Sequence, residues 1–207
     1  MEILIVAATA RELEPSLLFL KDQEIDTLIT GVGMVETAFA LGNKLAAKKY
    51  DLLINVGVAG SFSPLLQLGD VVEVEQDQLI ELGAQDGEQF LTIEDLGLGQ
   101  YLFVPALRAD PIPKTGLEKV HGITVNTVHG NADAIESISK RFSGSVTIES
   151  MEGAAAFLAA EKKSISALQV RAISNYVEHR DTSRWDIPLA IEKLHEWLRR
   201  YVVCLRS

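Results

Sequence analysis

The sequence predicts an α/β fold with three layers, a central mixed β-sheet flanked by helices, in a single domain over residues 1–207. β-branched apolar runs alternate with helical patterns along the whole chain, and most runs end in a turn rich in Gly or small residues. Composition agrees, because 207 residues that are 47% hydrophobic and 23% charged can bury one large core. No internal repeat, low-complexity tract or long linker marks a second domain.

Residues 2–8 form a near-continuous β-favouring run, the pattern of a strand covered on both faces. Thr9-Ala10-Arg11-Glu12 makes the first strand-to-helix turn. Pro15 is best tolerated in a first helical turn, which puts Glu12 at or just before that helix's N-terminus. A carboxylate there is already favoured by the helix dipole, so position alone assigns Glu12 no chemistry. Residues 26–30 give a short strand, and Gly31-Val32-Gly33-Met34 turns into a helix over 35–48 with Ala38, Leu41, Leu45 and Ala46 on one face. The Gly31-x-Gly33 pair invites a dinucleotide reading and fails it: position 36 is Glu where a third small residue is needed.

Residues 52–58 are the third buried strand, followed by an edge loop, Ala59-Gly60-Ser61-Phe62, and residues 69–74 restart as a strand. From 76 to 113 the pattern loosens. Residues 83–87 are turn-rich and Pro105, Pro111 and Pro113 break regular structure, which suits substrate-specific or subunit-contact loops. Residues 123–128 read as a strand, His129-Gly130-Asn131 as a loop and 132–142 as a helix. His129 is available for chemistry, although a lone loop His more often has none.

Glu149-Ser150-Met151-Glu152-Gly153-Ala154-Ala155-Ala156 reads as a strand handing over to a helix, because Thr147-Ile148 is β-branched and 153–160 is almost all Ala and Leu. Met151 and Glu152 then fall near the C-terminal edge of the sheet, where open α/β sheets bind ligands. Residues 165–173 are the last strong strand, ending in Arg171-Ala172-Ile173-Ser174-Asn175-Tyr176. Residues 187–203 form an amphipathic closing helix with Ile191, Leu194, Trp197, Leu198 and Tyr201 at helical spacing.

Charge and composition exclude several functions. The net charge is −10 and no basic run exceeds Lys48-Lys49, so a nucleic-acid backbone is repelled, and small ligands or proteins are the expected partners. The single Cys204 allows no internal disulfide, and His121, His129, His179 and His195 show no metal-ligand spacing, which points to a reducing compartment and no structural metal. Residues 3–8 lack a basic leader and are too short for a signal sequence or a membrane span, so the expectation is a cytoplasmic protein with no membrane partner.

Ala8 to Glu12, Gly31-Val32-Gly33, Asn55-Val56-Gly57-Val58-Ala59-Gly60 with Gly69-Asp70-Val71-Val72, and Met151-Glu152-Gly153-Ala154 with Arg171-Ala172-Ile173-Ser174-Asn175 are weak signals singly. As an ordered set covering almost the whole chain, they resemble the purine nucleoside phosphorylase and nucleosidase superfamily, most broadly its methylthioadenosine/S-adenosylhomocysteine nucleosidases. Glu81-Leu82-Gly83-Ala84-Gln85-Asp86-Gly87, Leu96-Gly97-Leu98 and Ser174-Asn175-Tyr176-Val177-x-x-Arg180 look most like the futalosine hydrolases of menaquinone biosynthesis.

The resemblance implies hydrolysis of a purine nucleoside at its N-glycosidic bond, futalosine giving hypoxanthine and dehypoxanthinylfutalosine, without metal or organic cofactor. It implies homo-oligomers, often with a neighbour's loop closing the site. Residue by residue, Glu152 accepts hydrogen bonds from both ribose hydroxyls, Met151 offers the sugar a polarizable surface, and Glu12 orients and deprotonates the attacking water. Ala59 and Gly60 bring backbone close to the nucleoside. Asn175 stands where adenine-cleaving relatives carry Asp. Its amide oxygen can accept from a protonated N7 and its NH2 can donate to a 6-carbonyl, which selects hypoxanthine, with the proton arriving through water. Ser174 holds the Asn175 side chain and Arg171 balances nearby carboxylates. Arg180 caps the benzoate end of futalosine, with His179 and Arg184 as rivals. Phosphorylases bring several Arg to these loops, whereas here only Arg11 is near, so water is the nucleophile. Val58 replaces a small polar residue of relatives and removes one anchor for that water. A methylthioadenosine-type nucleosidase, a nucleoside phosphorylase and a non-catalytic nucleoside-binding relative remain as alternatives.

Overall fold

A computed structural model describes residues 1–105 and 112–206. Pro111, one of the expected breakers, lies outside the described residues. β1 (Ile3–Ala7) is buried at every position and runs parallel to both neighbours, β2 (Asp26–Ile29) and β3 (Leu52–Ser61). Between them come α1 (Leu17–Asp22) and α2 (Met34–Ala47). β4 (Val71–Leu79) is followed by an exposed hairpin of β5 (Gly83–Asp86) and β6 (Gln89–Thr92), and by the short β7 (Leu102–Phe103). The chain closes with β8 (Glu118–Thr124), α3 (Ala132–Arg141), β9 (Thr147–Ser150), α4 (Gly153–Lys163), β10 (Ser166–Tyr176) and α5 (Ile187–Arg206).

The strands lie in the order β2-β1-β3-β10-β4-β8-β9, with antiparallel pairs among parallel ones, so the sheet is mixed as the sequence predicts. β3 is long enough to serve two partners along one edge, while β10 takes the other. The first half of β3 pairs with β1, while Gly60 and Ser61 pair antiparallel with Glu149 and Ile148 of β9. The five strands β3-β10-β4-β8-β9 thereby close into a ring, and β1 and β2 extend it as an open wing. One apolar cluster packs Leu41, Leu45, Phe157 and Ala160 of α2 and α4 against one face of the sheet. Another packs Leu20, Leu194, Trp197 and Tyr201 of α1 and α5 against the opposite face. Helix, sheet and helix make the three layers.

Local differences from the sequence reading have physical causes. Ala59, Gly60 and Ser61 are strand rather than edge loop, because β10 and β9 take their backbone on either side. Two 3-10 turns, Ala10–Glu12 and Glu14–Ser16, precede α1, and Pro15 sits in the second of them. The buried face of α2 is Thr37, Leu41 and Leu45; Ala38 and Ala46 are exposed. Thr37 takes the inward place because its hydroxyl lies 3.1 Å from that of Thr30. The strand expected over 123–128 ends at Thr124, and the loop after it is correspondingly longer.

Candidate active site

The turn after β1 folds so that Glu12 points back over the sheet edge. Its Oε2 accepts the Thr9 backbone N–H at 3.0 Å and the Thr9 hydroxyl at 2.8 Å, while Oε1 accepts the Val58 N–H from β3 at 3.1 Å. Three donors therefore fix a buried carboxylate between two strands. Glu152 is the residue just before α4. Its Oε1 accepts the Gly33 N–H at 2.9 Å and its Oε2 the Met151 N–H at 3.3 Å. Burial pushes Glu152 above the usual carboxylate range, Arg171 pulls it back, and the Glu12 charge pushes it up.

Behind both carboxylates lies Arg171, fully buried on β10, with Nη1 3.4 Å from the Asn55 carbonyl and Nη2 bonded to the Asn55 side chain. Burial lowers its proton affinity, and Glu152, Glu12 and Asp77 raise it. The buried Arg171 charge thus lies within electrostatic reach of Glu152, Glu12 and Asp77.

Asn175 stands at the end of β10, paired across the sheet with Gly60. The Ser174 hydroxyl donates to its Oδ1 at 2.9 Å, and its Nδ2 donates to the Tyr176 carbonyl at 3.0 Å. One lone pair on Oδ1 and one N–H on Nδ2 stay free. A Cβ on Gly60 would come within 3.0 Å of Asn175 Nδ2, so only glycine leaves the amide this room.

These groups share one cavity of about 290 Å³, lined among others by Thr9, Arg11, Glu12, Val58, Ala59, Gly60, Met151, Glu152, Ser174 and Asn175. Of the site residues expected from sequence, Glu12, Ala59, Gly60, Met151, Glu152, Ser174 and Asn175 therefore converge, with Arg171 behind them. Arg180 does not line the cavity; its guanidinium stacks 5.1 Å from the ring of Trp185, which does. A larger, more polar depression of about 800 Å³ between the chain ends is lined by Met1, Glu2, Lys48 and Arg206 and holds none of these groups.

A family model of the phosphorylase superfamily matches residues 18–203. The chain belongs to this superfamily. It is 33% identical to a futalosine hydrolase of Acidothermus cellulolyticus over 82% of this chain and 71% of that protein. It is 30% identical to one of Streptomyces coelicolor over 88% and 80% respectively. Among solved superfamily folds, the futalosine hydrolase of Helicobacter pylori superposes with a TM-score of 0.80 at 14% identity, covering 99% of this chain and 98% of that one. The Streptococcus pneumoniae methylthioadenosine/S-adenosylhomocysteine nucleosidase bound to 8-aminoadenine gives 0.78 at 22% identity, with 98% and 99% covered. Likeness at these identities shows the fold alone.

The cavity also contains residues that sequence reasoning did not select. Glu149 and His129 line it, with the His129 Nδ1 2.7 Å from Glu149 Oε2, and so do Trp185, Ile187 and Ile191. A carboxylate in the middle of a short buried strand was the available signal for Glu149. No comparable signal marked Trp185, whose place depends on how the loop after β10 folds.

Proposed function

We propose that this protein is a futalosine hydrolase, cleaving futalosine with water to hypoxanthine and dehypoxanthinylfutalosine, a step of menaquinone biosynthesis. The observation that carries the reading is Asn175, held by Ser174 with one donor and one acceptor free, in the same cavity as Glu12 and Glu152. Identities of 28–33% to futalosine hydrolases over most of the chain support it.

In this reading Glu152 accepts the ribose hydroxyls beside Met151, and backbone at Ala59 and Gly60 underlies the base. As the C1′–N9 bond breaks, its electrons pass into the purine and N7 takes a proton from water. Asn175 Oδ1 accepts the resulting N7–H while Nδ2 donates to O6. Water attacks C1′ and gives its proton to Glu12, which passes it to the hydroxide left when water protonated N7. Among the described residues Arg11 is the only Lys or Arg lining the cavity, and a phosphate nucleophile would need more fixed donors than that. Incubation with futalosine, methylthioadenosine and inosine, each with and without phosphate, tests the reading. Hypoxanthine from futalosine at a rate indifferent to phosphate is expected. Adenine as sole product, or phosphate-dependent release, would overturn it.

The benzoate end of futalosine suits the apolar wall of Trp185, Ile187 and Ile191, with Arg180 stacked on the Trp185 ring. Arg180→Ala should raise KM for futalosine several-fold, in line with the loss of one charge-assisted contact, and leave inosine cleavage alone. An unchanged KM would move the assignment to Arg11, inside the cavity.

A homo-oligomer belongs to the same proposal. Val32, Val35 and Phe39 are 54%, 75% and 70% exposed on and before α2, and Val32 lines the cavity, so a second copy seated on this stripe would lie beside the mouth. Light scattering of the protein and of Phe39→Glu, which should dissociate it, decides. A cytoplasmic location fits the free, exposed Cys204, and cell fractionation tests it.

A further inference from the structure

Asn175, Gly60 and Glu149 occupy one row across three adjacent strands, since Gly60 pairs with Asn175 of β10 on one side and with Glu149 of β9 on the other. All three line the cavity, so the Asn175 and Glu149 side chains rise from the same face. Two strand spacings separate their backbones by about 9.5 Å, and because Gly60 has no side chain, Asn175 Nδ2 and Val177 Cγ2 reach to 3.0 Å from where its Cβ would stand. The row is a slot with an amide on one wall and a carboxylate on the other.

The carboxylate wall is a built feature. Glu149 is 4% exposed, its Oε1 accepts the His129 backbone N–H at 3.0 Å, and its Oε2 lies 2.7 Å from His129 Nδ1. His129 is held in turn by an edge contact with the Phe62 ring at 6.0 Å. Burial pushes Glu149 above the usual carboxylate range and His129 pulls it back; His129 takes both lone pairs of Oε2 and one of Oε1, which leaves one on Oε1 for a donor arriving from a ligand.

We infer that Glu149, positioned by His129, reads the N1 edge of the purine: it accepts the N1–H of a 6-oxopurine while Asn175, across Gly60, takes the N7 and O6 edge. The inference rests on the proposed nucleosidase function and deepens it. A 6-oxopurine carries a hydrogen on N1. A 6-aminopurine carries a lone pair there, which would face the carboxylate with no hydrogen between them, leaving two buried acceptors unpaired. Specificity for the base is then set from both walls rather than by Asn175 alone.

The test compares futalosine, its N1-methyl derivative and its 6-amino counterpart with wild type, Glu149→Gln and His129→Asn, alongside calorimetric binding of free hypoxanthine, 1-methylhypoxanthine and adenine. Wild type should reject the N1-methyl compounds. Glu149→Gln should lower kcat/KM for futalosine roughly ten- to a hundredfold and reduce the 6-oxo to 6-amino preference by a similar factor. His129→Asn should shift the same ratio less, mainly through KM. The ratio is taken within each variant, so a general loss of folded protein cancels. Equal losses on both substrates, or ready cleavage and binding of the N1-methyl compounds, would overturn the inference. Absence of futalosine hydrolysis with an intact hypoxanthine preference in the binding arm would instead sink the functional reading and leave the slot standing.

Discussion

Glu12 and Glu152 open on one cavity but are held for different work. Glu12 is fixed by three donors, two from Thr9 in the turn after β1 and one from Val58 of β3, leaving one lone pair on Oε1 for a water. Glu12→Gln keeps the shape and removes the base, so kcat for futalosine should fall by about 10²- to 10⁴-fold while KM changes little. A comparable rise in KM would mean that Glu12 binds substrate instead. Glu152 must be ionised to accept both ribose hydroxyls, and its proton affinity is raised by burial. KM should therefore rise as pH falls through a value above the ordinary 4.5, and Glu152→Gln should remove that dependence. At the base, Asn175→Asp should move activity toward the 6-aminopurine counterpart of futalosine, read as the ratio of adenine to hypoxanthine released.

At the scale of elements, α4 delivers Glu152, and its seat is tightly specified. A Cβ on Gly153 would stand 2.1 Å from Asp77 Oδ2 and 2.3 Å from Gln169 Nε2, and Ala154 N–H donates to Thr124 Oγ1 at 2.8 Å. Gly153→Ala must push the first turn of α4 outward. About 1–3 kcal/mol of stability should be lost, as for other overpacked cores, and kcat/KM should fall further than stability alone explains because Glu152 is the adjacent residue. Urea unfolding and steady-state kinetics on the same preparation separate the two. The strand-to-helix handover here was legible because β-branched residues gave way abruptly to Ala. So was the convergence of Glu12, Gly60, Met151, Glu152 and Asn175, since strand ends of one sheet share an edge. The ring closure was not legible: it depends on Gly60 and Ser61 turning toward β9, a pairing between residues far apart in sequence. Missing that closure hid Glu149, whose place opposite Asn175 exists only because β3 has a partner on each side. The face of α2 was misread for a smaller reason, a Thr–Thr contact that hydrophobic periodicity cannot see.

Across the whole molecule, ionisable groups buried away from the surface set how stability responds to pH. Asp77 is fully buried inside the strand ring, and desolvation lifts it to about 6 against the hydrogen bonds from Gln169 and Thr124. Glu149 and Glu152 are raised by burial too. His195 of α5, 3% exposed and bonded to Ser16, is lowered by burial to about 4. The signs oppose. Each raised carboxylate binds more protons folded than unfolded, so its contribution is greatest in acid and is lost as pH rises toward its folded value. His195 binds fewer protons folded, so its contribution is present above its unfolded value of 6.5 and is lost as pH falls toward about 4. Between about pH 4 and 6 Asp77 therefore makes stability decline with rising pH, Glu149 and Glu152 act in the same direction, and His195 makes it climb. His195→Gln should steepen that decline by removing the opposing group. Asp77→Asn should flatten it, because the group that holds the extra proton in the folded chain is gone. Melting curves of the three proteins from pH 4 to 8 decide the matter. A slope unchanged by Asp77→Asn would show that Asp77 titrates alike in the folded and unfolded chain, and the buried-carboxylate account of its pH response would fall.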